Sequence, residues 1–276
     1  MPAAGSRIEE APPQDTLVES ERHDGVLILT LARPKARNSL SHSMIVAFQG
    51  LIDAASKDET VRVVVIAAQG SAFSAGHDLK ELTVHRADAD GGRAFTRLLM
   101  QECSKLMRSI VHCPRPVIAA VEGTATAAGC QLVATCDLAV ASETATFATP
   151  GVNIGLFCST PMVALSRNVP RKRAMEMLLM GEMLPAKEAA EYGLVNRVVP
   201  PGKALDEAMR LAAIIASKPK ATLAIGKEAF YRQIEMPLAD AYDYAASVMV
   251  ENMMHAESKE GIGAFIDKRA PDWKKG

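Results

Sequence analysis

Gln69-Gly-Ser-Ala-Phe-Ser-Ala-Gly-His-Asp-Leu-Lys80 follows the apolar run Val61 to Ala68, and Glu122-Gly-Thr-Ala-Thr-Ala-Ala-Gly-Cys-Gln131 follows the apolar run Val117 to Val121. Each combination reads as a buried strand, a loop of Gly, Ala, Ser and Thr, and then a helix-forming segment. Side chains this small leave the backbone open to a ligand. Two such loops set side by side can each donate a backbone N–H, one from near His77 and one from near Ala128, to a single ligand oxygen. That is the geometry of an oxyanion hole, so the pair predicts a site for acyl-transfer or enolate chemistry. One loop alone would be an ordinary strand-to-helix turn, and it is the repetition that carries the reading.

Working outward, strands and helices alternate. Val26 to Leu31 is a short apolar run suited to a buried strand, and Asn38 or Ser39 can cap the helix that Met44, Ile45, Phe48, Leu51 and Ile52 mark out between Ser41 and Ser56. Between the two loops, Glu81 to Gly92 reads as a mobile surface segment. A helix then runs from about Arg93 to Val111, and Cys113-Pro-Arg-Pro116 stops it. Ala127 to Thr135 reads as a buried helix whose N-terminus turns positive partial charge on the second loop. Leu138 to Ala141 is a further strand, and Ala145 to Leu156 is irregular around the turn Thr149-Pro-Gly151. From Thr160 the pattern is helical apart from Val195 to Val199. The fold class is therefore α/β: a loosely attached Pro/Ala/Glu-rich segment over 1–19, an alternating core over 20–200 and a helical region over 201–276.

The composition narrows the partners. In 276 residues, aromatic side chains make up 4 % and the net charge is −1, so neither base-stacking platforms nor a basic nucleic-acid surface is expected. No apolar run is long enough to cross a membrane, which points to small molecules and further copies of the chain as partners. The five cysteines, Cys103, Cys113, Cys130, Cys136 and Cys158, are scattered and never spaced Cys-x-x-Cys, which suggests neither a disulfide framework nor a zinc site. Together with a start, Met1 to Gln14, lacking the apolar core of a signal peptide and the Arg-rich look of a transit peptide, they give a cytoplasmic expectation.

Rival readings of the chemistry are weaker. Gly70 to Gly76 and Gly123 to Gly129 both lack the middle glycine of a dinucleotide fingerprint. The six histidines are scattered, so no metal is expected. His77 offers its backbone N–H more readily than an acid–base side chain. Cys158 and Ser159 present a nucleophile or proton relay, against inert packing for the cysteine and helix capping for the Ser-Thr pair. Asp137 reads as a turn residue satisfying local N–H groups.

With these residues in hand, the chain resembles the enoyl-CoA hydratase/isomerase (crotonase) superfamily, most closely its divergent domain-containing members. The resemblance rests on Arg33 to Leu40, Phe73 to Leu82, Ala127 to Asp137, Phe147 to Gly155, Ala186 to Val199 and Glu260 to Arg269, in that order and spacing. It implies a crotonase-like spiral of ββα repeats, C-terminal helices that form a homotrimer or homohexamer, and an acyl-CoA thioester held by the N–H groups of His77 and Ala128. Coenzyme A is then part of the substrate, with no permanently bound cofactor. His77, Asp78, Leu79 and Lys80 fall at acyl-CoA-contacting positions, and Phe265 and Lys268 at C-terminal positions that reach the nucleotide. The resemblance also implies a departure, because the family's two water-activating glutamates match Gln131 and Gly151. An amide cannot shuttle a proton near neutral pH, and glycine has no side chain. The expected activity is that of an enoyl-CoA hydratase-like lyase stabilising a thioester enolate. Decarboxylation, thioester hydrolysis and non-catalytic acyl-CoA binding are the alternatives.

Overall fold

The computed structural model describes residues 16–273. An antiparallel hairpin, β1 (Val18–His23) and β2 (Val26–Leu31), opens the chain and is followed by α1 (His42–Lys57). Three strand–strand–helix turns then succeed one another. The first is β3 (Val63–Ala68), β4 (Ala72–Ser74), α2 (Leu79–Val84) and α3 (Arg93–His112). The second is β5 (Val117–Val121), β6 (Thr124–Thr126) and α4 (Ala128–Thr135). The third is β7 (Leu138–Ser142), β8 (Thr146–Ala148) and a 3₁₀ turn over Pro150–Ile154. The first strand of each turn joins a six-stranded sheet in the order β1-β2-β3-β5-β7-β10, parallel beyond the opening hairpin. The second strand of each joins a smaller sheet, in which β4, β6 and β8 run parallel. Stacking the turns in this way winds the backbone into a spiral.

Burial on both faces explains why the large strands read as unbroken apolar runs. Val64 and Ile66 of β3 face the main core with Phe48 and Phe73, whereas their neighbours Val63, Val65 and Ala67 face a second core. That second core is closed by α8 (Ala204–Ala216), reached after α5 (Pro161–Asn168), α6 (Arg171–Met180), β9 (Leu184–Pro185), α7 (Ala186–Glu191) and β10 (Arg197–Val199). Ala204, Ala208 and Ala212 recur every fourth residue and are fully buried, so α8 lies close against the sheet. Glu122 caps it from the second loop, accepting the N–H groups of Gly202 at 3.0 Å and Ala204 at 2.6 Å. The layer over the core thus extends past residue 200, and the outlying helices are α9 (Lys220–Gln233), α10 (Leu238–Met254) and α11 (Ala256–Ile266).

Several local readings change. Of the segment 1–19, residues 1–15 lie outside the described ones, and Val18 and Glu19 belong to β1. Glu81 to Gly92 is not an unstructured surface segment: its first residues lie in α2, which Asp78 caps by accepting the N–H groups of Lys80 and Glu81. The stretch after β7 is ordered into β8 and the 3₁₀ turn. Helix α1 is capped by Ser41, which accepts the Met44 N–H at 3.3 Å, and not by Asn38 or Ser39.

Candidate active site

Asn38, relieved of capping, fixes the first loop. It adopts φ 50°, a conformation asparagine tolerates, and is fully buried. Its amide donates to Gln69 O and Ala72 O, both at 2.8 Å, while its carbonyl oxygen Oδ1 accepts the Arg33 N–H at 2.8 Å. The Ser74 hydroxyl donates to the Asn38 backbone oxygen at 2.9 Å, Ala75 N–H to Arg37 O at 3.0 Å and Leu40 N–H to Gly76 O at 2.8 Å. One turn, Arg33 to Leu40, therefore holds both sides of the loop that presents His77. Nothing in the sequence pattern distinguished this role from a cap, because the partners lie more than thirty residues away.

The second loop is pressed against the first. Gly129 is required by close approach: a Cβ there would fall 2.2 Å from Ser74 O, inside the van der Waals envelope of β4. At Gly76, φ is +87° and a Cβ would lie 2.8 Å from the Ala127 Cβ and 3.1 Å from the Ala128 nitrogen. Ala127 itself sits at φ 50°, ψ −118°, donates its N–H to Ala148 O at 2.9 Å and so turns the chain into α4. Neither the His77 N–H nor the Ala128 N–H has a hydrogen-bond partner among the described residues. For Ala128 this is the ordinary condition of a first helical residue, and it leaves the donor available to a ligand.

The remaining candidates separate into three groups. Gln131 and Thr149, 5 % and 0 % exposed, each carry a buried side-chain oxygen, Oε1 and Oγ1, with no partner among the described residues. The His77 ring is set with Nδ1 3.3 Å from Leu40 O, so the proton belongs on Nδ1, and Nε2 is buried without a partner. Burial pushes the His77 pKa below its ordinary value, which keeps the ring neutral near pH 7. In the second group, Gly151 is buried in the 3₁₀ turn, where a Cβ would meet Leu156 O at 2.7 Å and the Cys158 Sγ at 2.9 Å. Burial pushes the Cys158 thiol up, against the smaller opposing effect of the Gly151 N–H. Ser159 is exposed and donates to Phe157 O at 3.3 Å; Thr160 stands at the N-cap of α5 without a side-chain capping bond, so the capping reading of the Ser-Thr pair is withdrawn in favour of Pro161 at the first helical position.

The third group lies away from the loops or is otherwise engaged. Asp78 is taken up by the α2 cap, by Ser39 Oγ at 3.2 Å and by Arg33 at 3.9 Å. Leu79 and Lys80 are exposed beside it. Phe265, 85 % exposed on α11, and Lys268, just beyond it, make no hydrogen bond to either loop. Asp137 is more than a local turn residue: its carboxylate accepts the Val117 N–H at 2.7 Å, the Lys227 ammonium at 2.6 Å and the Tyr231 hydroxyl at 2.9 Å. Among the described residues no group of His, Cys, Asp and Glu could hold a metal ion.

A spiral of strand–strand–helix turns, with two uncommitted N–H groups where successive turns touch, defines a protein of the crotonase fold. The chain belongs to the enoyl-CoA hydratase/isomerase family, which it matches over residues 21–276. It is 47 % identical over 272 residues to the human mitochondrial enoyl-CoA hydratase domain-containing protein 3, covering 98 % of this chain and 87 % of that protein. Among solved structures, an enoyl-CoA hydratase of Mycobacterium smegmatis superposes with a TM-score of 0.89 at 50 % identity, covering 94 % of this chain and 99 % of that one. The human domain-containing protein 3 also gives 0.89, at 46 % identity over 94 % and 100 % of the two chains. These relatives overturn the cytoplasmic expectation. The domain-containing proteins of rat, mouse, human, frog and zebrafish are all mitochondrial by name, which points away from the cytoplasm. Reduced, unpaired cysteines suit any reducing compartment and never singled out the cytoplasm.

Proposed function

We propose that the protein is an acyl-CoA-processing enzyme of the hydratase type that holds its substrate's thioester carbonyl between the N–H groups of His77 and Ala128. The observation that carries this is the contact of the two loops at Gly76 and Ala128 with both donors free. Fixed donors of this kind favour the oxygen that gains charge as an enolate forms, and they need no reorganisation to do so. The amino terminus of α4 adds positive partial charge at the same point. On this reading His77, Asp78, Leu79 and Lys80 line the approach of the acyl-CoA, while Phe265 and Lys268 reach the nucleotide portion of a substrate bound to another copy of the chain. Coenzyme A enters with the substrate, and no other cofactor is required.

With Gln131 and Gly151 in place of carboxylates, general acid–base assistance to a water molecule is weak. Chemistry that stops at the enolate is favoured over rapid hydration. The raised Cys158 thiol counts against a covalent or relay role for that residue, since the thiolate is the reactive form. A side-chain substitution cannot delete a backbone donor, so the test occupies its space. Ala128→Val is expected to weaken butyryl-CoA binding in calorimetry by about tenfold or more, with the circular dichroism spectrum retained. Undiminished affinity would refute the assignment. Turnover of crotonyl-, malonyl- and butyryl-CoA by the purified protein separates catalysis from binding alone.

A further inference from the structure

The N–H of His77 and the carbonyl of Gly76 are the two ends of one planar trans peptide, and they point in opposite directions. Whatever holds the Gly76 oxygen therefore aims the His77 donor. The holder is Leu40, whose N–H donates to Gly76 O at 2.8 Å. Leu40 is fully buried and lies between the turn that Asn38 pins and the start of α1, so it is a fixed point of the fold. One hydrogen bond still lets the peptide swing about it, and the residue before His77 offers little resistance. Gly76 stands at φ +87°, and a Cβ there would lie 2.8 Å from the Ala127 Cβ, so the approach of the second loop demands the residue that stiffens a backbone least.

A second tie closes on the same two residues. The His77 ring donates from Nδ1 to Leu40 O at 3.3 Å, and Leu40 and His77 form an isolated parallel bridge. Both polar groups of the Leu40 backbone are thus directed at Gly76 and His77. The other ring nitrogen, Nε2, is buried without a partner among the described residues. A lone pair left unpaired in this way is destabilising, and a leucine would fill the space without it, so packing alone does not account for a histidine here. We propose that the His77 side chain is a positioning residue: through Nδ1 and Leu40 it restrains the peptide that carries its own backbone N–H, and so aligns that donor with the substrate's carbonyl. The inference rests on the thioester reading above and adds to it how one of the two donors is held. The ring itself touches no reacting atom. Burial keeps it neutral, with its one proton committed to Leu40.

Carbon-13 NMR of butyryl-CoA labelled at the thioester carbonyl and bound to the full chain reads the donors directly, because stronger hydrogen bonding moves that resonance downfield. In the unmodified protein the bound resonance is expected downfield of the free one. His77→Leu keeps every backbone N–H, yet it should lose most of that displacement and bind butyryl-CoA about tenfold more weakly. His77→Asn, whose amide nitrogen can stand near the place of Nδ1, should recover most of both. His77→Gln, whose amide reaches instead to the place of Nε2, should not. A full displacement in His77→Leu overturns the proposal and leaves the thioester reading intact. Recovery in His77→Gln as large as in His77→Asn, or recovery in neither, also overturns it. Should His77→Leu not fold, the contrast between the asparagine and glutamine variants carries the same decision. No downfield displacement in the unmodified protein overturns the thioester reading, and the proposal with it.

Discussion

Ala127 carries φ 50° and ψ −118°, a combination that suits glycine and strains a residue with a Cβ. The strain sits one residue before the N–H that we propose holds the substrate, and it is the turn through Ala127 that aims that N–H. Ala127→Gly is expected to relieve it by about 1–3 kcal/mol, offset by about 0.4–1 kcal/mol of added unfolded-state entropy. The melting temperature should therefore rise by a few degrees in differential scanning calorimetry. Two residues further into the chemistry, Gln131 and Gly151 set the expected rate of hydration. Crotonyl-CoA should lose its enoyl absorbance at least about 10²-fold more slowly than with an enzyme carrying both carboxylates. Gln131→Glu alone should recover little, because paired groups acting on one water are not additive. Gly151→Glu cannot supply the second carboxylate cleanly: φ does not forbid it, but its Cβ would collide with Leu156 O and Cys158 Sγ. That variant should lose about 1–3 kcal/mol of stability in urea. Brisk hydration by the unmodified protein would show that another group supplies the proton. The two loops were legible as sequence because the same pattern, small residues after a buried strand, occurs twice. Asn38 was not, since its role depends on partners that only the folded chain brings near.

At the scale of the elements, α9 is anchored through a polar contact, Lys227 being its one buried residue. Lys227 is buried, and its ammonium donates to Ile110 O and Arg115 O, both at 3.1 Å, as well as to Asp137. Tyr231, one turn on, completes the Asp137 shell, and its phenol is pushed up by burial and by that carboxylate. Removing the cation leaves a largely buried carboxylate short of its charge partner. Lys227→Met should cost about 3 kcal/mol and raise hydrogen exchange in α9 before it does so in the large sheet. Uniform exchange across both would contradict the docking role. Long helices could be found from the sequence pattern, α3 within a residue of its observed ends. The strands of the small sheet could not. β4, β6 and β8 have three residues each, too few for alternation to emerge from runs of Ala, Ser and Thr. Helix α2 escaped for the same reason, being six residues with no buried face.

For the whole molecule, the outlying helices leave an apolar surface that one chain does not cover. Leu238, Tyr242, Phe265 and Ile266 are each more than two-thirds exposed. A surface of that character at the end of a folded chain favours self-association. Light scattering at micromolar concentration should give the mass of three or six chains, and a monomer would remove the proposed reach of Phe265 and Lys268 into a neighbouring site. The family resemblance, rather than the apolar pattern, supplied the stoichiometry, because an exposed face carries no record of how many partners meet on it.

The crowding around Gly151 also bears on how the chain can change. The carbonyl of Leu156 and the sulfur of Cys158 stand close to where a side chain from position 151 would have to begin. No side chain can be introduced there by one codon change without disturbing the segment that follows. The stretch from 151 to 158 therefore acts as a mutational barrier: a route to a carboxylate at position 151 runs through a less stable intermediate unless that segment shifts first.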